Sequence, residues 1–334
     1  MSASLTKAKP LRQVCVRLGA VLIGLALALG AAEIIVRKRD PQALERISTV
    51  HTAGANESPL HPAQGLFEID SELGFTPDPN GPFVEAHMCA PNDYPLVKEE
   101  GTTRLLFVGD SVTKRAAIVT GLKQVWGEAG IEYWNAGVEG YALHQTDLYH
   151  SRFLTGLDAD HVLFTFHLND FTATPVAFLD GDRLVVHQTE LSSAKTNRWL
   201  FERSHLYRLW LSRKLTPGAE NSLVPQPDLV QEAEESLVAL RDRVEAGGAR
   251  FSVLLLPWLS PTGEWPERAE VARREALAIL ERHAIETFDL LRPLEEALTA
   301  GEVVRERPRD PEHPSSIFGL RCARALAAMG LTAD

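Results

Sequence analysis

Short apolar runs alternate with stretches of helical spacing over the C-terminal two thirds of the chain. The apolar runs cover residues 104–108, 131–135, 161–166, 251–256 and 285–290, and helical spacing covers residues 118–129, 145–154, 267–283 and 317–329. This alternation is typical of a parallel sheet whose two faces are both covered by helices. The pattern therefore predicts an α/β domain over residues 101–334, built on a central parallel sheet of about five strands.

One segment inside this domain breaks the alternation. Residues 172–228 are irregular apart from a helix predicted around residues 204–215. We interpret them as an insertion, either a cap over a site or, more commonly for such segments, packing filler.

An apolar stretch near the N-terminus has a different pattern. Residues 18–36 are almost continuously apolar, with Glu33 as the one charge, and basic residues flank both ends. At about 1.5 Å per residue this length just spans a hydrocarbon core of roughly 30 Å. The stretch predicts a transmembrane anchor after a head of residues 1–17, with the N-terminus in the cytoplasm. A cleaved signal peptide with its cleavage site near Ala26, Ala28 or Gly30 is the competing interpretation. Both the anchor and the signal peptide would export the domain, and a buried core helix is a poorer third interpretation.

Residues 37–100 hold little periodicity and are rich in Pro, Gly, Asn and His. They predict a linker followed by an irregular lead-in, and LGFTPDPNGPF at residues 73–83 is typical of turns.

Composition narrows the class of protein. The apolar fraction of 45% and charged fraction of 24% are ordinary for a folded domain, and a net charge of −11 lacks the footprint of a nucleic-acid binder. Among the three cysteines no C-x-x-C occurs, so a structural zinc site is not expected. Whether Cys89 and Cys322 pair or stay free thiols is left open.

Polar residues follow the predicted strands. Ser111 comes after the first strand and His313 precedes the last helix, with Asp310 three residues earlier in the same loop. The carboxyl ends of parallel strands meet at one edge of a sheet, where ligands bind. Ser111 is then a candidate nucleophile, His313 its base and Asp310 the carboxylate that orients the imidazole.

An oxyanion hole fits the remaining positions. The N–H groups of Ser111 and Gly140 and the side-chain amide of Asn169 are the candidate donors. Each motif alone is more often a turn, a helix cap or a surface loop, and only their joint order at strand ends favours a site. His144, His150 and His167 are interpreted as structural, although His167 is close enough to Asn169 to line the site.

Four motifs carry a resemblance to a known family. GDSVT at 109–113, NAGVEG at 135–140, HLND at 167–170 and DPEHP at 310–314 resemble the four sequence blocks of the SGNH (GDSL) hydrolases. The resemblance covers about residues 104–330 and implies a flavodoxin-like three-layer α/β/α sandwich that uses no metal or cofactor. It assigns the serine, glycine, asparagine and histidine of the family name to Ser111, Gly140, Asn169 and His313, and the supporting aspartate to Asp310. The lead-in ELGFTPDPNG and an apolar span ending in a glutamate resemble membrane-anchored bacterial members.

Two positions depart from the family pattern. His167 stands where the third block usually has glycine, and Lys114-Arg115 follow GDSVT where anchored relatives often have a small or aromatic residue. The motif also differs from the G-x-S-x-G elbow of α/β-hydrolases, because Thr113 occupies its second glycine position. The larger side chain of His167 is expected to affect the width of the pocket or the position of Asn169, and both departures bear on which substrates fit.

The resemblance implies ester hydrolysis through an acyl-enzyme. The expected partners are a small-molecule or carbohydrate ester and a membrane, and no nucleic acid, with the domain periplasmic or at the cell surface. A polysaccharide O-acyltransferase using the same residues and a non-catalytic binding protein on the same fold are the alternatives. The acyl group, the acceptor and the oligomeric state are left open.

Overall fold

The computed structural model describes residues 9–39, 51–53, 67–77, 88, 94–167, 170–174, 176–180, 183–187, 197–214 and 224–332. The chain forms two compact units. One unit comprises Met1–Thr49 with Asn197–Pro217, and the other comprises Val50–Thr196 with Gly218–Asp334.

The strands lie in the larger unit. In the described ranges they are β1 (His51–Ala53), β2 (Phe67–Asp70), β3 (Gly74–Pro77), β4 (Thr103–Gly109), β5 (Ile131–Gly137), β6 (His161–Phe166), β7 (Val176–Asp180), β8 (Arg183–His187), β9 (Arg250–Leu255) and β10 (Thr287–Asp289).

The helices are divided between the units. Those of the smaller unit are α1 (Lys9–Arg39), α5 (Arg198–Arg203) and α6 (His205–Lys214), and those of the larger unit are α2 (Ser111–Lys114), α3 (Ala117–Trp126), α4 (Leu143–Tyr149), α7 (Pro227–Ala246), α8 (Glu267–Arg282), α9 (Leu291–Thr299) and α10 (Ser316–Ala328).

The central sheet has five parallel strands in the order β5-β4-β6-β9-β10. Counted along the chain this is the order 2-1-3-4-5, which is the flavodoxin-like arrangement. In that arrangement the topological switch lies between the first and third strands, here β4 and β6, and ligands bind at the carboxyl ends beside it. The predicted fold class, with its sheet of about five strands, is confirmed.

Alternating residues of each strand feed two hydrophobic cores. Leu106 and Val108 of β4 pack into a cluster with α4, α7 and α8, whereas Leu105 and Phe107 pack into a cluster with α3, α9 and α10. All four of these side chains are almost completely buried. Helices therefore cover both faces of the sheet, which explains why its strands are continuously apolar in sequence.

The lead-in contains more regular secondary structure than its sequence predicted. β2 and β3 form an antiparallel hairpin, and Leu73 and Phe75 are buried in the core cluster on the α7 face. The prediction of turns is wrong over residues 74–77, because a strand needs only a paired edge and one apolar face. Residues 78–83 lie outside the described residues.

The insertion also contains regular elements. β7 and β8 form a hairpin whose second strand pairs with β1, and α6 lies within one residue of the helix predicted there. Residues 229–246 and 291–299, for which the sequence predicted no element, are helical in α7 and α9. The spacing of the buried residues Ala233, Leu237, Leu240 and Val244 is a helical signal that was present in the sequence.

The N-terminal helix α1 is longer than the predicted anchor. Its stretch Gln13–Arg39 is long and apolar enough to cross a membrane, with a mean hydropathy of 2.3 in its most apolar window. Large apolar side chains such as Leu27 and Val21 are about two thirds exposed. A continuous exposed apolar surface of this kind needs a lipid or protein neighbour.

Cys322 is a free, fully buried thiol, and Cys15 is free and exposed. Cys89 lies outside the described residues.

Candidate active site

Ser111 is the first residue of α2, directly after β4 and Asp110. Asp110 caps this short helix, because its carboxylate accepts a hydrogen bond of 2.9 Å from the N–H of Val112. The first N–H groups of a helix have no partner within the helix. The turn thus holds the Ser111 side chain and its N–H at the carboxyl edge of the sheet.

Two glycines allow this turn to form. Gly109 has a φ of 145°, and a Cβ there would lie 2.6 Å from the Thr113 hydroxyl oxygen. A Cβ on Gly137 would collide with the backbone nitrogen of Lys114. Glycine is the residue that accepts both a positive φ and so close a backbone approach.

The side chain of Asn135 links α2 to β5 through hydrogen bonds. Its side-chain amide donates to the carbonyl of Thr113 at 2.8 Å and accepts from the N–H of Gly137 at 3.0 Å. The first residue of the predicted NAGVEG block therefore positions the turn that carries Ser111. This role of Asn135 was not predicted from the sequence.

The loop before α10 brings His313 and Asp310 to Ser111. The Ser111 Oγ lies 2.8 Å from the His313 Nε2, and the His313 Nδ1 lies 2.8 Å from the Asp310 Oδ2. Ser111 and His313 are each less than a tenth exposed. These distances are within the reach required for a nucleophile, a base and the group that orients the base.

Backbone hydrogen bonds hold this loop against its surroundings. The Leu259 N–H donates to the Pro311 carbonyl at 2.9 Å, and the Glu306 N–H donates to the His313 carbonyl at 2.9 Å. Ser315 then caps α10 by accepting from the N–H of Phe318. The imidazole is thereby fixed by the loop on both sides rather than by its contact with Ser111 alone.

The Asp310 carboxylate is favoured over its neutral form. Burial raises the pKa of Asp310, but hydrogen bonds from the N–H of Glu312 and from the ring and N–H of His313 outweigh it, so that the pKa lies below its usual 3.8. Asp310 is therefore charged at neutral pH and accepts from the protonated Nδ1 of His313.

Lys114 and Arg115 form ion pairs around the site. Arg115 lies 2.6 Å from Glu306 and 3.7 Å from both Glu139 and the Asp310 Oδ2, and Lys114 lies 3.1 Å from Glu139. Lys114 and Arg115 thus place two cations, each paired with a glutamate, beside the triad of Ser111, His313 and Asp310. The sequence showed the residues but not their partners.

Gly140 lies in the turn after β5 with a φ of 80°. That turn is tied to the Ser111 turn, since the Val138 N–H donates to the Gly109 carbonyl at 3.0 Å. Asn169, the third predicted oxyanion donor, lies outside the described residues, so its role stays a prediction.

His167, the other departure, is fully buried. Its ring stacks on Trp258 with 6.5 Å between centroids and 18° between planes. Its N–H donates to the Asp170 carboxylate at 2.7 Å, and the Asp170 N–H donates back to its carbonyl at 3.1 Å. Asp170 thus closes a turn with His167, three residues before it.

Of the remaining histidines considered earlier, His150 is buried and His144 is half-buried. Burial lowers the pKa of His144 to about 4, and burial followed by the charge of Arg243 does the same for His150. His144 is bonded to the hydroxyl of Thr174. Both are uncharged near neutral pH, which fits the structural role predicted for them.

No protein-family model and no curated protein sequence matches this chain. Solved structures that are similar include a catalytic mutant of an acetylxylan esterase from Geobacillus stearothermophilus, with 18% identity and a TM-score of 0.43 over 71% of this chain and 98% of that chain. Another acetyl xylan esterase has 13% identity and a TM-score of 0.44 over 68% and 100%. An alpha/beta hydrolase enzyme from the metagenome of Lake Arreo, Spain, has 17% identity and a TM-score of 0.44 over 68% and 95%. At such identities and TM-scores, the function of this chain has to be inferred from its own site.

Proposed function

We propose that this chain is a membrane-anchored serine esterase of the SGNH (GDSL) type. The observation that carries the proposal is the line of hydrogen bonds from the Ser111 Oγ through the His313 imidazole to the Asp310 carboxylate, with both distances 2.8 Å. A serine hydroxyl becomes a competent nucleophile when an oriented base can take its proton.

In the first half of the reaction, Ser111 attacks the ester carbonyl while His313 Nε2 takes the hydroxyl proton. Asp310 remains ionised and stabilises the imidazolium that forms. The N–H groups of Ser111 and Gly140 and the amide of Asn169 hold the negative oxygen of the tetrahedral intermediate. His313 then protonates the leaving alcohol, and an acyl-enzyme remains on Ser111.

In the second half, His313 takes a proton from water as the water attacks the acyl-enzyme carbonyl. Collapse of the second tetrahedral intermediate breaks the bond to the Ser111 Oγ and returns the proton to it, which releases the carboxylic acid. Short acyl esters, including those on carbohydrate, are the proposed substrates. The proposed position of the domain is outside the cytoplasm, in the periplasm or at the cell surface, with α1 as an uncleaved anchor.

A fluorophosphonate probe tests the assignment because it labels an activated serine. Full-length protein in detergent is expected to be labelled at Ser111, and Ser111→Ala is expected to lose both labelling and ester turnover. Asp310→Asn is expected to slow turnover by about 10⁴-fold, since it removes the carboxylate that sets the imidazole tautomer. Labelling at full rate in Ser111→Ala would refute the assignment.

Ser252 offers a matched control. It forms a second serine–histidine pair, with its Oγ 2.7 Å from the Nε2 of His161, but it is fully buried and lies toward the amino-terminal edge of the sheet. Ser252→Ala is expected to keep the labelling, because proximity to histidine alone does not make a serine accessible. Mass spectrometry of the labelled peptide identifies the serine directly.

A further inference from the structure

Helices α5 and α6 belong to the same compact unit as the apolar helix α1. The contact is made by Glu33, whose carboxylate accepts hydrogen bonds from the hydroxyl of Ser204 at 2.8 Å, the N–H of His205 at 2.8 Å and the N–H of Leu206 at 2.9 Å. We name residues 197–214 the basic helix pair. Glu33 thus supplies, from more than 170 residues away, an acceptor for the first N–H groups of α6.

Further bonds close this contact. Ser204 caps α6 by accepting from the N–H of Tyr207 at 3.0 Å while it donates to Glu33. Arg37 donates to Glu33 at 2.7 Å and to the carbonyl of Arg203 at 2.6 Å. The carboxylate therefore has four donors, of which three come from the basic helix pair.

Glu33 lies near the C-terminal end of the apolar run of α1, where a spanning helix would leave the hydrocarbon core. The apolar run ends at Val36, so Glu33 lies about 5 Å inside that end at roughly 1.5 Å per residue. A carboxylate near hydrocarbon is costly unless its oxygens are hydrogen-bonded. The basic helix pair provides those bonds at the depth where headgroups begin.

The chemistry of the basic helix pair fits that position. Trp199 is 62% exposed and Trp210 is 48% exposed. Exposed tryptophans with one apolar and one polar edge are enriched at membrane–water interfaces.

The charge of the basic helix pair and of the end of α1 also suits a membrane surface. The basic helix pair has five Arg and Lys residues against one glutamate, although the whole chain has a net charge of −11. Of these cations Arg203 is exposed, whereas Arg208 is buried. Arg37, Lys38 and Arg39 add three exposed cations at the end of α1. Clusters of basic residues beside a membrane span are attracted to anionic lipid headgroups.

We propose that the basic helix pair lies on the phospholipid surface, fastened to the anchor by Glu33, with Trp199 and Trp210 in the headgroup region. This inference rests on the proposed anchoring by α1. It also means that the anchor is part of the folded protein, because cleavage after Ala32 or earlier would leave Glu33 at or near a free chain end and cut α1 away.

Brominated phospholipids test the proposal, since bromine on the acyl chains quenches nearby tryptophan fluorescence. The full chain is reconstituted in vesicles of phosphatidylcholine and phosphatidylglycerol, with and without bromine. The parent is expected to be quenched, and Trp199→Phe/Trp210→Phe is expected to lose most of that quenching. Trp126→Phe, in the larger unit, is the matched control and is expected to leave it unchanged.

Glu33→Ala tests whether the hydrogen bonds of Glu33 hold the basic helix pair against α1. It is expected to lose the quenching of Trp199 and Trp210 while the protein stays in the membrane after alkaline extraction. Glu33→Gln, which keeps an acceptor oxygen for the N–H groups, is expected to lose only part of it. Glu295→Ala removes an exposed glutamate of α9 and serves as the control.

Two failures can be told apart. A parent chain that stays membrane-bound but shows no quenching from Trp199 and Trp210 overturns this inference alone, as does unchanged quenching in both Glu33 variants. A mature chain whose intact mass shows that the residues up to a cleavage site between about Ala26 and Ala32 have been removed, or one that alkaline extraction releases, overturns the proposed anchoring as well.

Discussion

At the residue scale, the most unusual titratable group is Asp170. It is almost completely buried, and within the described part of the chain its carboxylate accepts one hydrogen bond, from the N–H of His167 at 2.7 Å. Burial raises the pKa of Asp170 well above its usual value, and the nearby charge of Asp110 raises it further. Burial and the charge of Asp110, the residue that caps the Ser111 helix, therefore both favour the neutral form of the Asp170 carboxyl group.

Asp170→Asn is predicted to raise the melting temperature more at about pH 8 than at about pH 4. The folded-state pKa of Asp170 lies above its unfolded value, so the stability linked to its protonation is complete below about pH 4 and is lost as pH rises through the folded pKa. Asparagine keeps an acceptor for the His167 N–H and does not titrate. Thermal unfolding of both proteins across this pH range measures the difference, and a gain that is the same at both ends would contradict the raised pKa.

The ion pairs of Arg115, beside the triad, and of Arg104 could not be predicted from the sequence motifs. Arg115 is a departure from the family pattern in sequence, but in the fold it lies 3.7 Å from Asp310 and pairs with Glu306, 191 residues along the chain. Arg104 begins a strand and looks like a flanking charge, yet it is fully buried and paired with Glu132. Neither partner follows from local pattern, because both pairings depend on which strands and loops become neighbours.

At the element scale, the packing of α3 against α10 sets the position of the triad. α3 follows the Ser111 turn and α10 follows the His313 loop. A Cβ on Gly121 would lie 2.5 Å from the Gly319 carbonyl oxygen, and a Cβ on Gly319 would collide with the Ala117 carbonyl. The two helix backbones are in direct contact, which only glycine at both positions permits.

Gly319→Ala is predicted to destabilise the protein by about 1–3 kcal/mol and to lower ester turnover. Alanine would normally gain up to about 1 kcal/mol inside a helix, but the clash is with backbone and cannot be relieved by a side-chain rotation. Separating α10 from α3 also moves His313 relative to Ser111. Chemical denaturation and esterase assays on the same samples provide both measurements.

Gly156→Ala is the matched control for this substitution. Nothing lies within 4 Å of a Cβ at Gly156, which is on the surface in the 3₁₀ turn Thr155–Leu157. It is expected to change neither property by a comparable amount. Wild-type stability and turnover in Gly319→Ala would mean that the helices can separate freely and do not set the site.

The elements themselves differ in how well local pattern predicts them. The central strands were predicted to within a few residues, because their continuous apolar runs reflect burial on both faces. The hairpin of β2 and β3 was missed, since its short strands become regular only by pairing with each other. α9 was missed as well, and it is short, with a proline in its first turn.

At the scale of the whole molecule, Cys322 lies inside the core between α10 and the sheet. It is fully buried, and burial raises the pKa of its thiol far above the usual value. Both access and thiolate formation are therefore suppressed in the folded state. Its reactivity should report on opening of the larger unit.

A variant whose only cysteine is Cys322, made by Cys15→Ser/Cys89→Ser, is predicted to react with a maleimide only on unfolding. The native protein is expected to label slowly, at a rate that follows the population of the open state, and the same sample in urea is expected to label completely. Mass spectrometry over time gives both rates. Fast labelling under native conditions would show that α10 opens locally, which would weaken its role in holding His313.

Taken by itself, the sequence determined the fold class, the apolar helix and the positions at strand ends where polar residues accumulate. These depend on periodicity and on residues close together in the chain, so local pattern is enough. Only the tertiary structure decided that Ser111 meets His313 across 202 residues, that Gly121 and Gly319 touch, and that Glu33 binds the start of α6. Such contacts depend on how whole elements pack. A closely packed interior surrounds each buried residue with side chains from segments far away along the chain, and the local sequence does not contain those neighbours.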